Sequence, residues 1–228
     1  MTPDLVIFDC DGVLVDSEIL AARIEAEMIT AAGFPIEAED IFERYAGLTF
    51  HDILLRIEAE ARIPFQASLI EQVEAMVDRK LRNDVRAIEG AARAVHSVAA
   101  QRCICSNSSP DRLAAMLERT GLAPFFPDTV FSAIDTPTRK PKPAPDVFLH
   151  AAARMKADPA NTFVVEDSVH GIAGARTAGM RVIGFTGASH TYPGHADRLT
   201  EAGAETVISR WTDFPAVLAA LGEWGEIA

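Results

Sequence analysis

Acidic side chains stand directly after two short apolar runs of the sequence. Asp9 and Asp11 follow one run, and Glu166 and Asp167 follow the other. An aspartate carboxylate can attack phosphorus and form an aspartyl-phosphate, which splits a difficult transfer into two easier steps. A second carboxyl group can protonate the leaving alkoxide and then deprotonate the attacking water. Asp9 is therefore a candidate nucleophile, with Asp11 as a candidate general acid and base.

Further polar residues follow other predicted strands or lie in a nearby loop. Ser106 and Asn107 end a third apolar run, and Lys142 lies in a proline-rich loop. Carboxylates that share one small site repel one another and raise their own pKa values, so the site either takes up protons or holds a hard cation. With oxygen ligands and no His or Cys at the other strand ends, Mg²⁺ is the expected ion. Mg²⁺ and Lys142 would let a phosphate dianion approach.

Strands that feed tight turns must position these residues. Short apolar runs alternate with helical patterns, which predicts an open, doubly wound parallel α/β sheet with helices on both faces. Ligands bind at the carboxyl ends of the strands in such sheets. The predicted strands are residues 5–8, 102–105, 162–165, 181–185 and 205–208, and the predicted helices between them are residues 110–119, 144–154 and 169–178.

The alternation is interrupted after the first strand, where only helical patterns occur. We predict an α/β core formed by residues 1–16 and 87–228, with the sheet resuming near residues 88–90, and a helical insert at residues 17–86. Ser17 is a candidate N-cap, and Gly33 and Gly47 are candidate helix stops. The predicted helices of the insert are residues 17–32, 37–45, 49–61 and 67–82.

Composition limits the partners of the chain. The 228 residues carry a formal net charge of −12, which argues against nucleic acid and anionic membranes because both require a basic face. Hydrophobic residues make up 49%, enough for a buried core. The odd cysteine count and the absence of a leader or a membrane-spanning stretch favour a cytoplasmic protein with reduced, buried cysteines. We expect a monomer that binds a small phosphorylated metabolite.

Four short motifs resemble those of the haloacid dehalogenase superfamily, in its phosphatase branch, in order and spacing. The resemblance covers nearly the whole chain, and the closest subgroup is similar to the β-phosphoglucomutase-like phosphatases, whose helical insert is a C1-type cap that selects the substrate. The motifs are Phe8-Asp9-Cys10-Asp11-Gly12-Val13-Leu14-Val15-Asp16-Ser17-Glu18, Cys105-Ser106-Asn107, Lys142-Pro143-Ala144-Pro145-Asp146 and Val165-Glu166-Asp167-Ser168-Val169-His170-Gly171 with Ala178-Gly179-Met180.

The resemblance implies a role for each matched residue. Asp9 is the nucleophile and a metal ligand, and Asp11 is the general acid and base that also binds the metal through its backbone carbonyl. Asp167 ligates Mg²⁺, with Glu166 either a ligand itself or a group that supports one. The remaining matched residues act on phosphate: Ser106 and Asn107 hold its oxygens, and Lys142 screens it together with the nucleophile.

Departures from the superfamily separate the reactions that it hosts. Dehalogenases that resemble this chain lack a carboxylate at the position of Asp11. Phosphoglucomutases carry a cap histidine at the position of Ala21 and an arginine at that of Phe50. This chain lacks both residues, which favours transfer of the phosphoryl group to water. We therefore expect a phosphatase for a sugar, sugar-acid or polyol phosphate. The alternatives are an isomerase of the β-phosphoglucomutase type and a binding protein without turnover.

Several residues keep open assignments. Residues 45–50 are the candidate specificity loop, because a turn between cap helices can enter the site when a cap closes. His51 and His170 are expected to be structural or exposed, and Lys140 to be a solvated loop charge. Residues 189–195 form a loop near a strand end to which we assign no role.

Overall fold

The core of the protein, in a computed structural model, is a parallel sheet with strand order β3-β2-β1-β4-β5-β6. The structure describes residues 2–45, 50–62 and 68–224. Every neighbouring pair of strands is parallel, which confirms the doubly wound prediction. The strands are β1 (Leu5–Phe8), β2 (Gln101–Ser106), β3 (Val130–Ser132), β4 (Thr162–Glu166), β5 (Arg181–Phe185) and β6 (Thr206–Ile208).

Helices cover both faces of this sheet. Within the described residues they are α1 (Glu18–Ala31), α2 (Ala38–Arg44), α3 (Phe50–Ala61), α4 (Ser68–Asp84), α5 (Ala91–Ser97), α6 (Pro110–Thr120), α7 (Asp146–Met155), α8 (Val169–Thr177), α9 (His195–Glu201) and α10 (Phe214–Trp224). None of them is long and apolar enough to cross a membrane.

Strand β1 is buried on both sides because its side chains alternate between two hydrophobic clusters. Val6 and Phe8 belong to the cluster that continues into α1–α4, whereas Leu5 and Ile7 belong to the cluster beneath α7 and α8. All four side chains are fully buried. This central position places the residue after Phe8 between the carboxyl ends of β2 and β4.

Helices α1–α4, here called the helical insert, follow β1 along the chain and precede the other five strands, as predicted. Helix α1 packs against α2 and α4, and α4 packs against α6 outside the insert. Ser17 stands at the N-cap position of α1, as predicted, but its side chain makes no capping bond, and its hydroxyl instead donates to Asp11. Ser109 does cap α6 by accepting from the Arg112 backbone N–H, as its position before Pro110 indicates.

Other sequence predictions need correction. The sheet does not resume near residues 88–90; Ala87 forms only an isolated bridge to Val15, and α5 follows before β2. Strand β3 was not predicted, because it is a three-residue edge strand with two half-buried side chains and therefore lacks an apolar run. Helices α5, α9 and α10 were also not predicted; the first two are only seven residues long.

Candidate active site

The site begins at Asp9, the residue that follows β1. Its backbone N–H donates to the Val165 carbonyl at 3.0 Å, so the pairing of β1 with β4 continues one residue past the strand. The side chain is therefore held at the centre of the sheet edge. Asp167 follows β4 in the same way, one residue after Glu166. The parallel register thus brings two distant motifs together.

A buried lysine joins these two segments. The Lys142 Nζ lies 2.6 Å from Asp9 Oδ1, 2.5 Å from Glu166 Oε1 and 2.7 Å from the Cys105 carbonyl. The side chains of Lys142, Asp9 and Glu166 are 4%, 10% and 1% exposed. All three donors of the ammonium group are used, so the nucleophile candidate has a fixed orientation.

Electrostatics show that this corner is short of positive charge. Burial, opposed by Lys142 and reinforced by Glu166 and Asp167, raises the pKa of Asp9 well above its usual value. Burial also raises the pKa of Glu166, again against Lys142. Burial alone would lower the pKa of Lys142, but Asp9 and Glu166 outweigh it and raise that pKa. One lysine therefore does not neutralise the carboxylates that surround it.

Asp11 is held by hydroxyl groups rather than by a cation. Its Oδ1 accepts from Ser17 Oγ at 2.7 Å, and its Oδ2 accepts from Ser106 Oγ at 3.2 Å and Ser108 Oγ at 2.8 Å. A hydroxyl can donate or accept after rotation, so these contacts suit both the carboxylate and the protonated acid. That tolerance is what a group acting as acid and then as base requires.

Asn107 acts on the lysine loop. Its Oδ1 accepts from the Lys142 backbone N–H at 2.8 Å, and its Nδ2 donates to the Lys142 carbonyl at 3.4 Å. The amide therefore fixes the backbone from which the lysine side chain projects. The phosphate-binding roles predicted for Asn107 and Ser106 stay predictions, although both residues lie at the expected place.

The acidic residues fit a hard divalent cation. Asp9, Glu166 and Asp167 each offer a carboxylate oxygen, and these oxygens lie within 4.8 Å of one another. An all-oxygen donor set is the type that Mg²⁺ prefers. The turn after β1 leaves room for this cluster: a Cβ on Gly12, whose φ is +68°, would lie 1.9 Å from Asp167 Oδ2.

A second glycine makes room for Glu166. A Cβ on Gly171 would lie 2.0 Å from the Glu166 Cδ atom, so the first turn of α8 can cover this carboxyl group only without a side chain. Ser168 Oγ donates to Glu166 Oε2 at 3.0 Å and accepts from the Gly171 N–H at 2.9 Å. Ser168 and Gly171, which both belong to the fourth sequence motif, therefore hold Glu166 in its orientation.

A cavity of about 630 Å³ opens above these residues, between the sheet edge and the helical insert. Ala21 lines it, at the position where phosphoglucomutases are expected to carry histidine. Glu18 also lines it, and burial followed by the charge of Asp11 raises the pKa of Glu18 to about 8. From the insert the cavity is lined by Glu18, Ala21, Phe42, Asp52, Val77 and Leu81; the predicted site residues that line it are Asp9, Asp11, Ser106, Asn107, Lys142 and Asp167.

Sequence reasoning missed several of the residues around this cavity. Ser108, two residues after Ser106, was passed over although a serine beside a strand end is a ready hydroxyl donor. His190 and His195 contact Asp167 from the loop that had no assigned role. Periodic sequence patterns do not predict these contacts, because the contacts depend on the path of the loop that follows β5.

The other assignments left open by the sequence have different outcomes. Residues 46–49 of the candidate specificity loop lie outside the described residues, so the structure does not test that interpretation. His51 and His170 are exposed, as expected, although His170 lines the cavity. Lys140 is exposed, as expected for a solvated loop charge, whereas its neighbour Lys142 is buried.

Comparisons with known proteins agree with this geometry. The family model for haloacid dehalogenase-like hydrolases matches residues 3–179. The 6-phosphogluconate phosphatase of Escherichia coli is 32% identical over 191 residues, 83% of this chain and 86% of that protein.

Two solved structures extend the likeness to nearly the full length. A conserved haloacid dehalogenase-like protein of unknown function from Agrobacterium tumefaciens is 58% identical, with a TM-score of 0.92 over 96% of this chain and 98% of that chain. A hydrolase of the same family from Deinococcus radiodurans, solved with bound phosphate and sodium, is 29% identical, with a TM-score of 0.82 over 96% of each chain. The chain therefore belongs to the haloacid dehalogenase-like hydrolase family, as a hydrolase of phosphoric monoesters.

Proposed function

We propose that this chain is a magnesium-dependent phosphatase that forms an aspartyl-phosphate on Asp9 and hydrolyses a sugar, sugar-acid or polyol phosphate. The observation that carries the proposal is the position of Asp9, which bonds to Lys142 at 2.6 Å and shares a carboxylate cluster with Glu166 and Asp167. Burying a carboxylate among other carboxylates costs free energy. Such arrangements cluster at sites that carry out chemistry or bind a cation.

In the first half-reaction the Asp9 carboxylate attacks phosphorus, and the bond from phosphorus to the ester oxygen breaks. Lys142 holds one Asp9 oxygen, which fixes the plane of the attacking group. Asp11, as the protonated acid, gives its proton to the departing alkoxide, so a neutral alcohol leaves. The products are the aspartyl-phosphate and the Asp11 carboxylate.

In the second half-reaction Asp11 acts as the base. Its carboxylate takes a proton from water, the water oxygen attacks phosphorus, and the bond between phosphorus and the Asp9 oxygen breaks. Inorganic phosphate leaves, while Asp9 is again a carboxylate and Asp11 is again an acid. Ser17, Ser106 and Ser108 keep the Asp11 side chain within reach through both steps.

Asp9, Asp167 and the Asp11 backbone carbonyl would hold Mg²⁺, with Glu166 as a further ligand or as a support. The bound ion would offset the charge of the phosphate and polarise its oxygens. Lys142 supplies the second positive charge at the same corner. Burial raises the pKa of Asp9 despite the contact with Lys142, which supports a second cation at this corner.

The helical insert is proposed to act as a cap, with residues 1–16 and 87–228 as the catalytic core. Its helices supply one wall of the cavity, and the sheet edge supplies the other. The E. coli relative is named as a phosphatase of a phosphorylated sugar acid, which supports substrates of that size and polarity. Glu18, with a pKa near 8, can donate a hydrogen bond to a substrate hydroxyl at neutral pH.

A panel of phosphate esters tests this function. Purified full-length chain is incubated with Mg²⁺ and with hexose, hexitol and sugar-acid phosphates, and phosphate release is read as kcat/KM. Activity should vanish in EDTA and in Asp9→Asn, and acid quenching should trap phosphate on the peptide that contains Asp9. Asp135→Asn changes an exposed carboxylate outside the cavity and serves as the matched control.

Two outcomes would contradict the proposal. One is phosphate release that survives both EDTA and Asp9→Asn, which would rule out the metal and the nucleophile. The other is conversion of β-glucose 1-phosphate to glucose 6-phosphate faster than phosphate appears, which would identify an isomerase. Ala21 on the cavity wall, with no acid or base to offer, leads us to expect hydrolysis.

A further inference from the structure

Two buried histidines follow β5, in the loop to which the sequence analysis assigned no role. His190 and His195 are 8% and 4% exposed. The Nε2 atom of His190 lies 3.1 Å from Asp167 Oδ2, and that of His195 lies 2.8 Å from the Asp167 backbone carbonyl. Both imidazoles therefore act on one residue, the first on its carboxylate and the second on its backbone.

The proton positions follow from these partners. A carbonyl oxygen and a carboxylate oxygen have no proton to give, so each ring must donate from Nε2. The Nδ1 atoms of both rings are buried and have no described partner. A bare lone pair is tolerated there better than an unpaired N–H would be, which favours the neutral Nε2–H form for His195, whose pKa is lowered by burial.

The loop that carries His190 is itself held from two sides. The Ser189 backbone N–H donates to Asp16 Oδ1 at 3.0 Å, and the Ser189 hydroxyl donates to the other Asp16 oxygen. Tyr192 stacks on His195 with ring centroids 4.7 Å apart and planes at 15°. A side chain whose backbone is anchored in this way reaches its partner with little loss of entropy.

The helical insert covers His190. Phe42 of α2 lies against His190 with ring centroids 5.6 Å apart. Shielding from water strengthens the hydrogen bond from His190 to the Asp167 carboxylate, because the local dielectric is low. The helical insert, which forms the cavity wall opposite the sheet edge, therefore packs against the histidine that contacts Asp167.

We propose that His190 is a positioning residue for Mg²⁺: its bond to Oδ2 fixes the rotation of the Asp167 carboxylate, so that the carboxylate is set to meet the ion. This inference rests on the proposed function, since it assigns Asp167 to the metal. Groups that bond to a metal ligand in this way typically change metal affinity by roughly 10–100-fold when removed.

Calorimetric titration of the full chain with Mg²⁺ alone tests the inference. His190→Ala should weaken Mg²⁺ binding by roughly 10–100-fold, whereas His190→Gln should retain binding within about threefold, because its amide can donate from the same place. The Mg²⁺ concentration needed for half-maximal phosphatase activity should shift by the same factor, and kcat at saturating Mg²⁺ should recover. A role in folding alone would lower the melting temperature in EDTA and leave the Mg²⁺ Kd unchanged.

Two further variants keep the test decisive. His170→Ala removes an exposed imidazole from the same cavity and should leave Mg²⁺ binding unchanged. Asp16→Ala releases Ser189 and should weaken Mg²⁺ binding by roughly 3–10-fold, so it tests the inference if His190→Ala does not fold.

The two proposals can fail separately. No Mg²⁺ binding by the wild-type chain would overturn the metal site of the proposed function and this inference with it. Wild-type binding that neither His190→Ala nor Asp16→Ala weakens would overturn the role of His190 alone and leave the phosphatase proposal standing.

Discussion

The sheet edge and the helical insert hold their ion pairs in different ways. At the sheet edge, Lys142, Asp9 and Glu166 form an ion-pair cluster that is at most 10% exposed. In the helical insert, the pair Arg44 and Glu60 is 46% and 44% exposed. Buried charges cannot turn toward water, whereas exposed ones can rearrange at little cost. The difference indicates that the ion pairs of the sheet edge are held in one arrangement, whereas the surface pair of the insert is free to rearrange.

The largest expected effect is at the sheet edge. Asp9→Asn removes the nucleophile but keeps its shape, and Lys142 retains Glu166 as a partner. We expect kcat to fall by at least about 10³-fold, while the melting temperature changes by only a few degrees. Steady-state kinetics with calorimetric melting measures both. A variant that keeps a tenth of the activity would show that another group attacks phosphorus.

Removing the lysine should damage stability as well as activity. Lys142→Met leaves Asp9 and Glu166 buried without a cation, and we expect the free energy of unfolding at pH 7.5 to fall by about 3–5 kcal/mol. Lys140→Met, two residues earlier and exposed, should cost less than about 0.5 kcal/mol. Urea titration in EDTA compares the two variants.

The loss of unfolding free energy caused by Lys142→Met should depend on pH. Burial raises the pKa values of Asp9 and Glu166, so these groups take up protons as the pH falls and then need no counter-charge. The loss of stability in Lys142→Met should therefore be smaller at pH 5 than at pH 7.5. Equal losses at both values would contradict an uncompensated buried charge.

Filling the space beside Glu166 should have an intermediate effect. A Cβ on Gly171 would overlap the Glu166 carboxyl group, with 2.0 Å to its Cδ atom, so either α8 or the carboxyl group must shift. We expect Gly171→Ala to cost about 1–3 kcal/mol of unfolding free energy and to lower kcat. Urea titration and kinetics measure these changes. Wild-type values in both would mean that the helix can move away freely.

The insert side offers a smaller, pH-dependent effect. The pKa of Glu18 is 4.5 in the unfolded chain and about 8 in the folded protein. The folded state then binds more protons than the unfolded state between these values, so its stability falls as the pH rises from about 4.5 to about 8. Glu18→Gln, which mimics the protonated form, should match wild type near pH 5 and exceed it by about 1–3 kcal/mol near pH 8.5. Denaturation in EDTA at both pH values measures this, and parallel curves would contradict it.

The smallest expected effect is at the contact between the insert and the core. Asp78 on α4 accepts from Arg112 on α6 at 2.6 Å, and the two side chains are 49% and 26% exposed. Asp78→Asn should cost less than about 1 kcal/mol, shrinking with added salt, and should change KM more than kcat. Kinetics at two ionic strengths provides the measurement. A tenfold loss of kcat would show that the insert takes part in the chemistry.

Local sequence patterns predicted secondary structure correctly where the residues of the pattern interact mainly with their neighbours in the chain. The apolar run before Asp9 predicted β1 to the residue, and Ser109-Pro110 predicted the start of α6. At Ser17 the same reasoning predicted the start of α1 but not the partner of the side chain, because the hydroxyl donates to Asp11 and not to the first turn. A capping signal is local, and a carboxylate that arrives from another turn of the chain overrides it.

The sequence by itself determined the parallel type of the sheet, five of its six strands, the helical insert and the acidic pairs, because periodicity, turn residues and charge are read within a few positions. Only the tertiary structure decided that Asn107 holds the backbone of Lys142 and that His190 and His195 support Asp167. These contacts join residues that lie tens of positions apart in no repeating pattern. Their existence depends on strand register and on the path of each loop, which are settled only when the whole core packs.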